Sequence, residues 1–214
     1  TSVSLTPGYT NKVSFDTFEN SATTAPSDAA MFSFTLQATS EGYQRDRNTR
    51  VYLCAASADV SGSEALDWTM ESLVQDGDEL IVVRGFDADD LLKETHEELR
   101  DEARDLMKTI LEKNSVYKGR SLSVIVEFMA GRITETIERL IALYRPDSLV
   151  VGSRGSRSTL MTWSAVFGAP GMGSVSRYCV SHSPVPVIVV QPERNVRKSI
   201  EKRRADPKRH AEFT

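Results

Sequence analysis

Five short apolar runs alternate with four amphipathic patterns between Arg50 and Gln191, and this alternation most constrains the fold. Short runs bounded by polar or glycine-containing turns predict strands. The predicted strands cover residues 51–56, 79–85, 121–128, 149–151 and 185–190. Strands that alternate with helices join through right-handed crossovers into parallel sheets. The chain is therefore predicted to be an α/β protein with a doubly wound, five-stranded parallel sheet sandwiched by helices, a Rossmann-like arrangement.

The helical patterns carry apolar residues at alternating spacings of three and four, which is the period of an amphipathic helix. They fall at about 65–74, 92–110, 133–144 and from 174 onward. Ser61 or Ser63 is expected to cap the first helix, and Trp68 is expected to belong to its buried face. Three carboxylates among residues 87–90 suit the positive end of the second helix dipole.

The segments on either side of the predicted domain, residues 50–191, differ from it in composition. Residues 1–49 are rich in Ser, Thr, Asn and Pro, and only two pieces show order. Val13, Phe15 and Phe18 form a weak apolar cluster, while Phe32 to Leu36 alternates with the period of a half-buried strand. We expect a partly ordered extension that packs one or two short pieces on the main domain.

The tail, residues 192–214, is basic. It carries eight Lys/Arg against four Asp/Glu, a net charge of +4. Because the whole chain has a net charge of −4, the remaining residues carry −8. An acidic body argues against a nucleic-acid-binding core, whereas the tail alone could touch an anionic partner. We expect the tail to be a solvated helix or disordered end, and nucleic-acid binding is not expected.

Several functional classes find little support in the sequence. No apolar run approaches the ~20 residues of a membrane span, and no secretory segment is visible, so a cytoplasmic protein without membrane contact is expected. Cys54 and Cys179 are predicted to be small core residues in a reducing compartment. The histidines His96, His182 and His210 are scattered and form no metal-ligand pattern.

A glycine-rich loop after the fourth strand indicates phosphate handling. Gly152 and Gly155 let backbone N–H groups approach an anion, and Arg154 adds a cation. Gly173-Ser174 opens a helix whose unpaired N–H groups also favour an anion. In the alternative interpretation the two glycines only turn the chain and Ser174 only caps its helix. Gly168 to Ser174 has the glycine spacing of a P-loop, but no Lys precedes the Ser. Gly171-Met172-Gly173 begins a dinucleotide fingerprint, but Ser176 stands at its third glycine position.

The position of this loop in the predicted sheet favours a ligand. The loops after Ala56, Gly85 and Val151 all lie at the carboxyl ends of the strands. In doubly wound sheets ligands bind at that edge, where the strand order reverses.

These residues resemble a known family. Gly152-Ser153-Arg154-Gly155, the later Gly173-Ser174-Val175-Ser176 and the run Ser183 to Val187 are similar to the universal stress protein family, in particular its fungal branch. Ala65-Leu66-Asp67-Trp68 and the upstream Phe32 to Leu36 also fit that branch. The resemblance covers about residues 50–192. It implies a universal stress protein type of fold and a homodimer that forms through the last strand, 185–190.

Family members with the pattern G-x2-G-x9-G-[S/T] bind ATP, and the resemblance implies the same ligand here, with or without Mg. The implied nucleotide-binding residues are Gly152, Ser153, Arg154, Gly155, Gly173, Ser174, Val175, Ser57 and Gly85. Backbone N–H groups and the Ser174 hydroxyl would hold phosphate and ribose.

The sequence departs from the family pattern at three places. Seventeen residues, 156–172, separate Gly155 from Gly173 instead of nine, and this insertion could cover a nucleotide or occupy its place. Ser57 stands where the family usually has an Asp near adenine, with Asp59 two residues on. Gly85 matches a family Val that meets adenine.

Three functions follow as hypotheses. The first is a nucleotide-binding stress-response module without strong catalysis, acting with an unidentified protein partner. The second is a dimeric interaction scaffold of the same fold whose pocket is altered by the insertion. The third is a slow nucleotide hydrolase, for which Asp59 or Glu127 could be the base, although neither has a partner readable from sequence. No catalytic or metal-binding residue is assigned.

Overall fold

The computed structural model describes residues 9–16, 33–86, 96–153 and 173–205. Its strands are β1 Tyr9–Asp16, β2 Ser33–Ser40, β3 Val51–Ala55, β4 Glu79–Phe86, β5 Ser123–Ala130, β6 Ser148–Gly152 and β7 Val187–Val190. Its helices are α1 Val60–Trp68, α2 His96–Ser115, α3 Ile133–Tyr144, α4 Ser174–His182 and α5 Glu193–Arg204. A π-helical turn, Thr69–Leu73, continues α1.

In this part of the chain the strands form one sheet in the order β1-β2-β5-β4-β3-β6-β7. The five strands from β5 to β7 are mutually parallel, which confirms the predicted doubly wound, five-stranded parallel sheet. The N-terminal extension widens it, because β2 pairs antiparallel with β5 and β1 pairs antiparallel with β2. The outermost strand carries a bulge between Asn11 and Val13.

The core lies in two layers, one on each face of the sheet. Alternate strand residues such as Cys54 and Val82 pack under α1 and α2, while their neighbours Leu53 and Ile81 pack under α3 and α4. Both faces of the parallel strands are therefore buried, which is why their sequences are continuously apolar. Trp68 packs against the first layer, as predicted.

The start of α1 differs from its prediction. Asp59, rather than Ser61 or Ser63, is the N-cap residue, and its Oδ1 accepts the N–H of Gly62 at 3.0 Å. A carboxylate accepts this bond at least as well as a hydroxyl, so composition alone did not separate the candidates. At the other end the Val74 N–H donates to the Thr69 carbonyl, the longer-range bond that defines the π turn.

Hydrogen bonds to two carboxylates, Asp78 and Asp147, fix the beginning of β3. Asp78 accepts two hydrogen bonds from the Arg50 guanidinium, at 3.0 and 2.8 Å, and a third from the Gln75 N–H at 2.7 Å. Asp147 accepts the Val51 N–H at 2.7 Å, which joins the start of β3 to the turn before β6. These contacts set the register of the central strands and therefore the relative heights of their carboxyl ends.

Candidate functional site

A cleft lies where the strand order reverses. The chain leaves β3 toward β4 on one side, while β6 pairs with β3 on the other side. The cleft opens at the carboxyl ends of these strands and encloses about 670 Å³ of empty space, including open solvent. Its walls are the ends of β3, β4 and β6 and the first turns of α3 and α4. This is the position at which doubly wound sheets bind ligands.

Of the nine implied nucleotide-binding residues, six line the described part of this cleft. They are Ser57, Gly85, Gly152, Gly173, Ser174 and Val175. Ser153 is buried beside β6 and its N–H donates to the Val190 carbonyl at 2.8 Å. Arg154, Gly155 and the insertion 156–172, with Trp163 and Phe167, lie outside the described residues.

Gly152 is held in a very close contact with the start of α1. A Cβ atom at this position would lie 2.2 Å from the Ser61 carbonyl oxygen, a distance that real Cβ atoms do not reach. The glycine therefore permits α1 to pack on the end of β6. This packing role exists whether or not a ligand is bound, and it brings Ser61 to the cleft wall.

Ser57 belongs to a small hydrogen-bonded network around Asp59. The Asp59 Oδ1 accepts hydrogen bonds from the Ser57 hydroxyl at 2.6 Å and from the Ser61 hydroxyl at 2.8 Å. Together with the Gly62 N–H, these contacts turn the carboxylate of Asp59 into a structural acceptor at the helix start. The network holds two cleft-lining serines in place.

The start of α4 forms the opposite wall. Gly173 is the N-cap residue in extended conformation, so the interpretation that Ser174 caps this helix is wrong. Gly173 has no side chain to accept a hydrogen bond, and no side chain within the described residues caps α4. Such a helix start leaves N–H groups available to an anion. Ser176 donates its hydroxyl to the Gly173 carbonyl at 3.2 Å and stabilises the turn.

The end of the cleft near β4 is mainly apolar. Gly85 lies against Ile133, whose Cγ1 would be 3.2 Å from a Cβ on the glycine. Ile137 and Val83 complete this end, and Thr136, which is only 4% exposed, places a polar residue in the same wall. Sequence reasoning missed the contribution of α3. The sequence feature that could have indicated it is the turn at Gly131, because this turn starts α3 at the same edge of the sheet as the glycine loop.

The described lining of the cleft carries no charged side chain; it consists of Ser, Thr, Gly, Ala, Val and Ile. Within these residues, an anionic ligand would be recognised by backbone N–H groups and hydroxyls. A flat apolar group would suit the end near β4, because hydrophobic walls with a few placed polar groups are typical of ligand pockets.

Glu127, one candidate base, is a buried hydrogen-bond acceptor in the core. It lies on β5, is 4% exposed, and accepts hydrogen bonds from the Tyr144 hydroxyl and from the Thr35 hydroxyl, the latter at 2.7 Å. Burial raises its pKa, and the two hydrogen bonds oppose that rise. Neither Glu127 nor Asp59 is among the described residues that line the cleft.

Two absences hold for the part of the chain that the structure describes. No three His, Cys, Asp or Glu side chains gather there in a way that could hold a metal ion. None of the helices there is both long and apolar enough to cross a membrane.

Comparison with known proteins places the chain among relatives. The model of the universal stress protein family matches residues 49–191. The universal stress protein A family protein C25B2.10 of Schizosaccharomyces pombe is 36% identical over 206 residues, which are 95% of this chain and 63% of that protein. The chain thus spans less than two thirds of the length of this relative.

Solved structures of the family are more distant in sequence. UspA from Lactobacillus plantarum is 18% identical with a TM-score of 0.47, covering 69% of this chain and 99% of that one. The Arabidopsis thaliana protein At3g01520, solved with AMP bound, is 21% identical with a TM-score of 0.45, covering 66% and 91%. The family match over residues 49–191 and the fission-yeast relative together show that the chain belongs to the universal stress protein family.

Proposed function

We propose that this protein is a nucleotide-binding module that holds ATP or a related nucleotide in the cleft and has no strong catalytic activity. The observation that carries the proposal is the cleft itself. It joins the helix start at Gly173, which no described side chain caps, to an apolar end at Gly85 and Ile133, at the reversal of the strand order. Phosphate suits the first end and a base suits the second.

The absence of strong catalysis is part of the proposal. Asp59 accepts three hydrogen bonds at the start of α1, and Glu127 is enclosed by Tyr144 and Thr35. Both carboxylates therefore have structural partners, and a general base must be within hydrogen-bond reach of the proton it takes. Two buried free cysteines suit the reducing, cytoplasmic environment that we propose.

Mass spectrometry of the protein purified without added ligand tests the proposal. We expect a nucleotide mass in the native spectrum that is lost on denaturation, and the mass identifies the ligand. Repeating the experiment after dialysis against a chelator, with and without Mg²⁺, shows whether the metal takes part. An empty protein that also fails to bind millimolar ATP, AMP or cyclic AMP would overturn the proposal.

A second candidate function is a dimeric scaffold of the same fold that binds no nucleotide. The observation that favours it is Ser57, which stands at the position of the family's adenine-contacting Asp and directs its hydroxyl to Asp59 at 2.6 Å. Thermal unfolding with and without nucleotide distinguishes the two functions. A ligand that binds only the folded state raises the unfolding temperature, whereas a scaffold that binds no nucleotide would show no change.

Both functions include a homodimer formed through β7. This strand ends the described sheet, so its outer edge has no neighbouring strand there. The Pro186 and Val190 carbonyls accept hydrogen bonds from β6, and alternate residues of a parallel strand point the same way. Val187 and Val189 therefore direct their N–H and C=O groups outward. Pairing with a second copy would satisfy these groups.

A further inference from the structure

A second, larger groove lies near the nucleotide cleft, since its lining residue Val190 is the register partner of Gly152 in the cleft. It runs between α1 and β7 and encloses about 1250 Å³ of empty space, including open solvent. Its floor is apolar and includes Trp68, Ile188 and Val196. All three side chains are only partly covered. Apolar surface left open along a groove is typical of an interaction site rather than of a finished core.

The rim of this groove is acidic. Glu64, Asp67 and Glu71 line it from α1 and the π turn that follows. Asp67 is paired with Lys113, whereas Glu71 is exposed. The Oε2 atom of Glu64 has no accessible surface and no hydrogen-bond partner within the described residues. The exposed carboxylate of Glu71 is therefore the rim group that a cation from outside can reach.

The helix α5 has the complementary properties. It lies beyond the residues that match the family, 49–191, and contains six Lys/Arg against two Glu. Val196 and Ile200, one turn apart, are 38% and 40% exposed. Lys198, Arg203 and Arg204 are exposed, as is Glu201, whereas Arg197 pairs with Glu193. The helix thus presents an apolar stripe that its own chain covers only in part, next to free positive charge.

We propose that a second copy of this chain covers the groove, with α5 of each copy lying against the acidic rim on α1 of the other. The groove and α5 lie at the same edge of the sheet, since Val196 and the β7 residue Ile188 line the same space. A two-fold axis at this edge would therefore bring each basic helix to the partner's acidic rim. Such a self-complementary patch is what a symmetric dimer requires. The inference rests on the proposed homodimer and is independent of nucleotide binding.

Reversing one charge on each side tests whether the contact runs between copies. Glu71→Lys changes the rim and Lys198→Glu changes α5. Each variant alone would place like charges at both contacts of its homodimer, so we expect a roughly tenfold weaker dimer. In a mixture of the two variants, the mixed dimer has one native contact and one swapped contact, both attractive. Native mass spectrometry of isotope-labelled full-length chains should therefore show mixed dimers well above the statistical half.

A charge reversal away from the proposed contact serves as the control. Arg139→Glu, an exposed charge reversal on α3 on the other face of the sheet, should leave dimerisation unchanged. Dimers of both reversed variants that are as tight as the parent, or a mixed fraction of one half, would overturn the α5 contact and leave the β7 dimer standing. A parent chain that is monomeric at tens of micromolar would overturn both. In each case, the nucleotide carried by the purified protein is measured independently of dimerisation, so failure of the α5 contact is distinguishable from failure of nucleotide binding.

Discussion

Gly152 and the carbonyl group of Ser61 leave no space for a side chain between them. A Cβ on the glycine would lie 2.2 Å from the Ser61 oxygen and 2.7 Å from its carbonyl carbon. The residue that opens the phosphate-type loop is thus also the residue that lets α1 pack on β6. Sequence alone offered two roles for this glycine, phosphate binding and chain turning, and close packing is a third.

Gly152→Ala is expected to destabilise the protein without any ligand present. Either the start of α1 or the end of β6 must move, and overpacking of this kind costs about 1–3 kcal/mol. Urea unfolding of nucleotide-free protein, followed by circular dichroism, measures the loss. Parent-like stability combined with lost nucleotide binding would instead assign the glycine to the ligand alone.

Thr136→Val is expected to weaken nucleotide binding while preserving the fold. The substitution keeps the side-chain shape but removes the polar atom from the apolar end of the cleft, where Thr136 is 4% exposed. Loss of one hydrogen bond corresponds to roughly a threefold to tenfold weaker affinity by calorimetric titration. Thr109→Val, on the exposed side of α2, is the matched control. Equal affinities for the two variants would place the ligand away from α3.

The buried carboxyl group of Glu127 should make stability depend on pH. Burial raises its pKa from the ordinary value of 4.5, so the folded state binds this proton more tightly than the unfolded state. The stabilisation is present below pH 4.5 and is lost as pH rises through the raised pKa. Glu127→Gln removes this dependence, so its stability relative to the parent should increase from pH 4 to pH 7.5.

Urea unfolding of both proteins at several pH values measures that difference. The exposed Glu135 on α3 supplies the control, since Glu135→Gln should shift stability little at any pH. A difference between Glu127→Gln and the parent that stays constant with pH would contradict the expected titration.

The two cysteines should be unreactive in the folded protein. Burial raises the pKa of Cys54 to about 12 and that of Cys179 to about 11. Because the thiolate is the reactive form, modification by a disulfide reagent at pH 8 should be slower than in urea by roughly a hundredfold or more. Rapid reaction of either thiol in native buffer would reveal local opening of the sheet or of α4.

Val189→Pro should produce a folded monomer. Proline removes the N–H of Val189, which points away from β6, so pairing inside the chain loses nothing. Light scattering should show half the parent mass, with circular dichroism unchanged. Ile188→Pro is the informative comparison, because its N–H faces β6 and its loss should lower stability. A dimeric Val189→Pro variant would exclude β7 as the interface.

Most of the fold was readable from the sequence because buried parallel strands have a strong local signature. Runs such as Val51–Ala55 and Glu79–Phe86 are almost continuously apolar, and polar or glycine-containing turns bound them. The pairing of β1 with β2 and of β2 with β5 was not readable, because the choice of a neighbouring strand depends on long-range packing. The N-cap of α1 was also missed, since three residues in 59–63 can each accept the required hydrogen bond.

The candidate site was predictable at its glycines but not at its walls. Gly152, Gly173 and Ser174, which line the cleft, were identified because a glycine after a strand and a Gly-Ser pair at a helix start are recognisable patterns. Thr136 and Ile133 were not found, because an isoleucine or threonine on an amphipathic helix has the same pattern whether it faces the core or a cleft. Their placement follows from the height at which α3 meets the ends of β4 and β5.

The register shift between Asn11 and Val13 makes β1 an irregular outer edge of the described sheet. A bulged outer strand offers an irregular partner, so regular strand pairing is favoured at only one side of the sheet. A molecule with one such side binds one neighbour and then stops, whereas a molecule with two would continue into a fibre. In the proposed β7 homodimer, the N-terminal extension would therefore stop assembly at two copies.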